Sequence, residues 1–216
     1  AFTKDVAVPT VAIASPAVNA SVNGATAAAF AVSGTCSENG RTVTLSGAGS
    51  ATVACSGGTW STNLDVSAAS DGTITVYADL SDAAGNAATQ ASRTFVKDTG
   101  LPTLTVTSPA NGSYVNDANK AAFTISGACS EDTRTVVIGG AVSATAVCTA
   151  GAWTKTLDLS GLADGPLNFT FDHADSGGNA AVQVLRTFTK DVVLPTVVGV
   201  SPAPGSSAVD ANVSSF

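Results

Sequence analysis

The sequence predicts an all-β protein made of tandem seven-stranded β-sandwiches. First, the chain repeats itself at a constant offset of 93 residues, and the matching pairs are Cys36 and Cys129, Cys55 and Cys148, Trp60 and Trp153, Arg93 and Arg186, and Asp98 and Asp191. Second, hydrophobic residues form 44% of the chain but aromatic residues only 6%, so small β-forming residues occupy most apolar positions. Third, short alternating runs end at Gly and Asn. A repeat of this length matches one small domain of about 100 residues and exceeds the repeats of most solenoids.

Alternating apolar and polar residues predict the strands of the first repeat. They cover residues 10–15, 28–36, 41–46, 51–55, 60–66, 73–80 and 88–96. Turn sequences such as Asn39-Gly40 and Gly57-Gly58 separate them, and no segment combines a helical period with helix caps. Seven short strands in about 90 residues are typical of an immunoglobulin-like or fibronectin III-like sandwich, although the cysteine spacing is too short for the disulfide of antibody domains.

The repeat also predicts the domain boundaries. We expect repeat 1 at residues 9–98, a linker at 99–101 and repeat 2 at 102–191. The sequence Phe-x-Lys-Asp at 2–5 recurs at 95–98 and 188–191, so residues 1–8 are expected to be the end of a preceding repeat and its linker. Residues 192–216 are expected to be a linker and the start of a truncated third repeat. The chain then reads as an interior segment of a longer protein, with Pro102 keeping the linker extended.

The four cysteines indicate the compartment. Cys36 and Cys55 are 19 residues apart, as are Cys129 and Cys148, and this spacing fits neither a zinc site nor a redox motif. In an up-and-down sandwich both cysteines of a repeat lie at the same end. A disulfide within each repeat would close a loop of about 20 residues and contribute roughly 3 kcal/mol in the chain-entropy model. Free buried thiols and inter-chain disulfides are the alternatives. Pairing within the repeat predicts an oxidising compartment, such as a cell surface or the periplasm.

Charge and hydropathy narrow the classes of partner. The net charge is −7 and no basic run occurs, which argues against nucleic acid and anionic membrane surfaces. No apolar stretch approaches the roughly 18 residues of a membrane span, so we expect no membrane insertion in this segment.

Four further motifs stand out in the sequence. They are the run PTLTVTSP at 102–109, the Cys-Ser-Glu turn at 129–131, the loop DAAGN at 82–86 and the junction Phe-x-Lys-Asp-x-x-x-Pro. Together they resemble the immunoglobulin-like repeats of large bacterial surface adhesins. Residues 197–202 and 209–212 resemble a somewhat different immunoglobulin-like subtype. The resemblance implies an extracellular protein of the bacterial cell surface, with neighbouring repeats of the same chain as its partners. Members of this family form stalks that project a binding domain, or repeat into surface fibres.

Some relatives stiffen their stalks with calcium between domains, so the acidic residues at the repeat ends are candidate ligands. In the predicted layout one cluster lies between the two repeats, and an equivalent cluster lies above the first. The first set is Asp98, Glu131, Asp132, Asp175 and Asn179; the second is Asp5, Glu38, Asn39, Asp82 and Asn86. Calcium takes six to eight oxygen ligands, which such clusters could supply with carbonyls and water. In the alternative interpretation, Asp82 and Asn86 cap a tight turn, and Asp98 pairs with a neighbouring lysine.

Catalysis is not expected. The single histidine, His173, corresponds to Leu80 in the first repeat, so it belongs to no repeated active site, and we expect it on the surface of its strand. Trp60 and the four repeated phenylalanines are expected in the core. A stalk segment is the favoured function. One alternative is a subunit of a self-assembling fibre or sheath that pairs exposed strands. Another is a carbohydrate-binding module, which would need exposed aromatics, but Tyr77 and Tyr114 are out of register.

Overall fold

The computed structural model describes residues 4–197, and two β-sandwiches fill that range. The predicted fold class is therefore confirmed. Residues 198–216 of the predicted third repeat and residues 1–3 of the predicted preceding one lie outside the described residues. Within residues 4–197, no helix is long and apolar enough to cross a membrane.

The first sandwich contains eight strands and one 3₁₀ turn. In chain order they are β1 (Val11–Ser15), β2 (Ser21–Val22), the 3₁₀ turn Ala27–Ala29, β3 (Phe30–Cys36), β4 (Thr42–Gly47), β5 (Ala51–Ala54), β6 (Thr59–Leu64), β7 (Gly72–Leu80) and β8 (Ala91–Lys97). One sheet has the order β1-β3-β6, and the other has the order β2-β8-β7-β4-β5. All neighbours are antiparallel except β2 and β8, which are parallel.

The second sandwich repeats this plan. Its strands are β9 (Tyr114–Val115), β10 (Phe123–Ala128), β11 (Thr135–Gly140), β12 (Ala144–Val147), β13 (Ala152–Leu157), β14 (Gly165–His173) and β15 (Val184–Lys190). The larger sheet has the order β12-β11-β14-β15-β9, and β9 is parallel to β15. Strands β10 and β13 form the smaller sheet, and two isolated bridges, Leu104 to Cys129 and Ser108 to Ser126, place the preceding segment where β1 lies in the first sandwich.

Each of the seven predicted strands has a counterpart, with boundaries shifted by a few residues. Strand β3 begins at Phe30 instead of residue 28 because Ala27–Ala29 forms a 3₁₀ turn. The structure adds β2, which is two residues long and therefore has too little sequence to show a period of two.

Each sandwich encloses its own core between its two sheets. Phe30 of β3 packs edge-on against Phe95 of β8, with ring centroids 4.8 Å apart, and Phe123 and Phe188 form the equivalent pair at 5.0 Å. Trp60 and Trp153 are each 3% exposed, which confirms the prediction that they belong to the core. The Trp60 Nε1–H donates to the backbone carbonyl of Thr35, so its polar atom is satisfied.

A glycine in β3 and its counterpart in β10 let the tryptophan of each sandwich approach the sheet. A Cβ atom added to Gly34 would lie 1.8 Å from the Ala12 carbonyl oxygen and 2.7 Å from the Trp60 ring. In the second sandwich, a Cβ on Gly127 would lie 1.8 Å from the Thr105 carbonyl oxygen. Neither neighbouring backbone can move away without breaking its pairing with the strand that carries the glycine.

Both predicted intra-repeat disulfides are present. Cys36 is bonded to Cys55 with an S–S distance of 2.10 Å, and Cys129 to Cys148 with 2.05 Å. Cys36 ends β3 of one sheet and Cys55 follows β5 of the other, so each bridge joins the two sheets at one end of its sandwich.

The expectation that His173 lies on the surface is wrong. It is 3% exposed, because it occupies the inward position of β14 that Leu80 occupies in β7. Its Nδ1 atom lies 3.1 Å from the Thr135 carbonyl oxygen, but its Nε2 atom is buried without a hydrogen-bond partner. The second sandwich therefore carries an unsatisfied polar atom at a site where the first carries a leucine.

We predict that Gly127→Ala lowers the free energy of unfolding of the second sandwich by about 2–3 kcal/mol, because the new methyl group overlaps the Thr105 carbonyl. Hydrogen exchange resolved by repeat would measure the loss. Gly161→Ala is the control in the same repeat, since a Cβ there has no neighbour within 4 Å. Equal effects of the two substitutions would contradict the prediction.

We predict that His173→Leu raises the free energy of unfolding of the second sandwich by about 1–2 kcal/mol, because it removes an unsatisfied buried nitrogen. The reciprocal Leu80→His should destabilise the first sandwich. Urea titrations of both variants, followed by repeat-resolved hydrogen exchange, would test the pair. A destabilising His173→Leu would show that Nε2 has a partner in solution.

Candidate interdomain junction

Three hydrogen bonds connect the two sandwiches, and we call this contact the joint. Asn179 Nδ2 donates to the Asp98 carbonyl oxygen at 2.9 Å, and the Gly24 N–H donates to Asn179 Oδ1 at 3.0 Å. The Asn23 Nδ2 atom donates to the Gly177 carbonyl oxygen at 3.0 Å. Gly177 and Asn179 belong to the turn between β14 and β15, whereas the other three residues follow β2 and β8 of the first sandwich.

Asp175 holds the turn of the joint in shape. Its Oδ1 accepts the Asn179 backbone N–H at 2.8 Å, and its Oδ2 accepts Asn179 Nδ2, also at 2.8 Å. Asn179 Nδ2 therefore has partners in both repeats, while its oxygen faces the Gly24 N–H. Both side chains are buried, at 4% and 5% exposure. The turn presents the Asn179 amide in a fixed orientation to the preceding repeat.

Hydrogen bonding also sets the charge state of this carboxyl group. Burial tends to raise the pKa of Asp175, but the hydrogen bonds from the Asn179 side chain and backbone, and from the backbone of Gly177 and Gly178, outweigh it and lower the pKa below the ordinary 3.8. Asp175 is thus ionised at neutral pH, as its role as a double acceptor requires.

The turn between β7 and β8 of the first sandwich contains the same hydrogen-bonded pair of an aspartate and an asparagine. Asp82 Oδ1 accepts the Asn86 N–H at 2.8 Å, and Asp82 Oδ2 accepts Asn86 Nδ2 at 2.6 Å. These bonds, the one from the Asn86 side chain first, lower the pKa of Asp82. Asn86 Nδ2 also lies 3.4 Å from the carbonyl oxygen of Asp5, which stands 93 residues before Asp98. The contact between an asparagine turn and the preceding linker therefore recurs in register.

A buried lysine at the end of the last strand of each sandwich binds the carbonyl oxygens of a nearby loop, and the sequence analysis did not predict it. Lys97 is 5% exposed, and its Nζ donates to the carbonyl oxygens of Ala69 at 2.6 Å and Ser67 at 3.3 Å. Lys190 is equally buried and donates to the carbonyls of Ser160 and Leu162. The signal was present in the sequence, because Lys97 follows the core residue Phe95 by two and must face the same side of its strand.

The linker is tied to both repeats. The Asp71 carboxylate accepts the Thr99 N–H at 3.1 Å and also lies 3.4 Å from Lys97 Nζ. The Thr99 backbone hydrogen bond is the main reason that the pKa of Asp71 is lowered. On the far side, the Thr103 N–H donates to Ser130 Oγ at 2.9 Å. Hydrogen bonds therefore hold the linker on both sides, at Thr99, which is its first residue, and at Thr103, which lies just beyond its last.

The predicted calcium ligands lie in two separate settings. Asp98, Asp175 and Asn179 come together at the joint, but the Asp98 side chain accepts the Gly100 N–H at 3.0 Å. Asp132 Oδ1 accepts the Gly151 N–H at 2.9 Å beside the disulfide, and Glu131 Oε1 accepts Ser130 Oγ. In the first repeat, Asn39 and Glu38 make the equivalent bonds to Gly58 and Ser37.

Calcium binding stays a prediction. Among the described residues, no three His, Cys, Asp or Glu side chains are grouped so that they could hold a metal ion. Asp82 and Asn86 cap their own turn, as the alternative interpretation proposed. That interpretation also paired Asp98 with a neighbouring lysine, but the Asp98 side chain accepts the Gly100 N–H, and Lys97 pairs with Asp71.

The similarity of this chain to known proteins is found among solved structures. No protein-family model matches it, and neither does any curated protein sequence. A solved tetra-tandem repeat from the extending region of a large adhesion protein is 24% identical, with a TM-score of 0.35, and the alignment covers 85% of this chain and 49% of that one. The present chain thus spans about half of that structure.

Two further solved structures are also similar to the chain. The fibronectin(III)-like modules of CbhA from Clostridium thermocellum are 12% identical with a TM-score of 0.49, over 85% of this chain and 94% of that one. The D00-D0 domain of intimin is 13% identical with a TM-score of 0.31, over 82% and 98%.

Proposed function

We propose that the chain is a structural stalk segment of a bacterial cell-surface adhesin, in which tandem immunoglobulin-like sandwiches hold a distal binding region away from the cell. The recurrence of the joint carries this proposal. Asn179 reaches the carbonyl of Asp98, and Asn86 reaches that of Asp5, so each repeat engages the linker that precedes it in the same way. A joint repeated in register fixes the orientation of successive repeats, which a spacer needs.

The disulfides support the location. One bridge in each sandwich fits an oxidising compartment outside the cytoplasm. The proposal assigns the chain no catalytic role, since its one histidine is buried in the core of the second sandwich. The buried Trp60 and Trp153 do not supply the exposed platform that a carbohydrate-binding module needs.

The function can be tested in the source bacterium. An antibody against residues 9–191 should label intact cells, and deletion of residues 9–101 keeps the repeat register and should bring the distal end closer to the cell without abolishing display. The distance can be measured by super-resolution imaging of a terminal tag. Absence of surface labelling in cells that produce the protein would overturn the proposal.

We predict that Asn179→Ala loosens the orientation between the two sandwiches, because it removes two of the three hydrogen bonds of the joint. Residual dipolar couplings should then give different alignment tensors for the two repeats, and small-angle scattering should show a broader distribution of dimensions. Asn86→Ala is the matched control, since it removes the equivalent side-chain hydrogen bond to Asp82 in its own turn but leaves this joint intact.

The result is informative in both directions. Unchanged couplings in Asn179→Ala would show that direct packing or the linker sets the orientation.

Repeating the scattering in calcium and then in excess chelator tests the calcium prediction separately. A change on chelation in the unmodified protein would support a metal at the joint.

We predict that acid weakens the joint through Asp175. Because the folded-state pKa of Asp175 lies below 3.8, its carboxylate contributes stability above that value, and this contribution is lost as the pH falls through the folded-state pKa. Asp175→Asn should therefore reduce the protection of the β14–β15 turn at pH 7 but have a smaller effect near pH 3. Hydrogen exchange at both pH values measures this, with Asp82→Asn as the control confined to the first sandwich. An equal effect at both pH values would contradict the prediction.

A further inference from the structure

The joint includes a position of the first sandwich that has no side chain. The Gly24 N–H donates to Asn179 Oδ1 at 3.0 Å, and a Cβ atom added to Gly24 would lie 3.6 Å from the same oxygen. That distance is an ordinary van der Waals contact, and Gly24 is not among the glycines with a positive φ angle. A side chain can therefore occupy this position, but its first carbon would touch Asn179.

The second sandwich repeats the other groups of the joint where the chain leaves it. The Asp191 N–H donates to a carbonyl oxygen of β9 at 2.9 Å, as the Asp98 N–H does to a carbonyl oxygen of β2. Asn116 corresponds to Asn23, and the Oδ1 atom of each accepts a backbone N–H of its own turn. In Asn23 the Nδ2 atom then donates to the second sandwich. We call these residues the exit end of a sandwich: Asn23, Gly24 and Asp98 in the first, and Asn116, Asp117 and Asp191 in the second.

The two exit ends differ in charge. Asp117 stands where the first sandwich has Gly24, and its side chain is 63% exposed. Lys120 donates to Asp117 Oδ1, and this hydrogen bond and the positive charge lower the pKa of Asp117. The carboxylate is therefore ionised at neutral pH. Lys120 offsets part of its charge, but the carboxylate oxygens can only accept hydrogen bonds.

The turn that docks at the joint does not suit a second carboxylate. Asn179 Nδ2 donates to the Asp98 carbonyl and to Asp175 Oδ2, which uses both of its hydrogens. A carboxylate at position 24 would thus meet the amide oxygen, with the ionised and buried Asp175 on the other side of the same amide. Two acceptors and two like charges would then face each other in a site with little water. Glycine at position 24 allows this turn to dock.

The docking turn also differs between the repeats. Ala84 of the first sandwich stands where the second has Gly177, and a Cβ on Gly177 would lie 3.3 Å from Asn179 Nδ2. The bond from Asn86 Nδ2 to the Asp5 carbonyl is 3.4 Å long, compared with 2.9 Å for the equivalent bond of Asn179. Both partners of a joint therefore contain positions that vary from repeat to repeat.

We propose that the residue at position 24, and its counterpart at 117, selects the repeat that can follow. Glycine accepts a turn that presents the oxygen of an asparagine. Asp117 rejects that turn and fits one that presents a cation or an N–H donor at the same place. The partner of the second exit end is therefore a following sandwich whose turn differs from residues 175–179. The inference deepens the proposed stalk function, on which it rests, because it assigns the residues that set the order of repeats.

Substitutions at position 24 of the chain 1–216 test the role of charge. Gly24→Asp should lower the population of the docked arrangement about tenfold. Gly24→Ala and Gly24→Lys should keep it, because a Cβ fits there and a cation is attracted by Asp175. NMR relaxation of the backbone amides measures the result, since docked sandwiches share one rotational correlation time and released ones have shorter, separate times. Unchanged docking in Gly24→Asp, or an equal loss in all three variants, would overturn the proposal.

A chain of three sandwiches tests the native Asp117. A second copy of residues 99–191, inserted after Asp191, places the Asn179 turn against Asp117 and keeps the linker of the joint. Small-angle scattering should show one rigid and one loose junction, and Asp117→Gly in the first copy should narrow the distribution of dimensions. A rigid second junction without that substitution would overturn the proposal.

Both experiments separate this inference from the function on which it rests. Gly24 is exposed, so its substitution leaves the core of the first sandwich intact. The measurements use purified protein, so their outcome is independent of surface labelling in the source bacterium. Failure of the selection at position 24 can therefore be distinguished from failure of the proposed stalk function.

Discussion

Three connections of the first sandwich depend on the alternation of side chains along β8. Arg93, Phe95 and Lys97 share one face of this strand, yet each serves a different region. Arg93 bonds the crossover between β1 and β2, Phe95 packs against Phe30, and Lys97 holds the carbonyls of the loop between β6 and β7. A slip of one residue would turn all three outward and bring Thr94 and Val96 inward. The register of one strand thereby fixes the core, the crossover and a loop together.

The buried lysines show why this register is well defined. An ammonium group away from water is costly unless it is hydrogen-bonded, and Lys97 finds two carbonyl oxygens and the Asp71 carboxylate. Those partners exist only when the β6–β7 loop and β8 are both in place. Because Lys190 makes the equivalent bonds in the second sandwich, the feature belongs to the repeat and explains why Lys recurs in the Phe-x-Lys-Asp motif.

Sequence patterns predicted the strands, the disulfides and the buried tryptophans, because those features depend on alternation and on spacing along the chain. They failed for His173, which was judged by residue type instead of by the parity of its strand, and they missed Lys97, whose parity with Phe95 places it inside. The joint was predicted in part. Asp98, Asp175 and Asn179 were expected to meet, but the Asn179 amide makes the contact, with Asp175 as its support. Which atom of a side chain faces the neighbouring repeat depends on the shape of a turn, and spacing does not encode that.

The joint and the parallel pairing of β2 with β8 meet at one residue. Asp98 donates its N–H to Val22 of its own sandwich and accepts Asn179 Nδ2 of the next at its carbonyl. The end of β8 is thus fixed from both sides by the two polar groups of a single backbone residue. If β8 separates from β2, the Asp98 carbonyl loses the position from which it meets Asn179, and Gly24, which follows β2, moves away from the same side chain. Opening one sandwich therefore also releases the orientation of its neighbour, so stiffness along the chain depends on every repeat remaining folded.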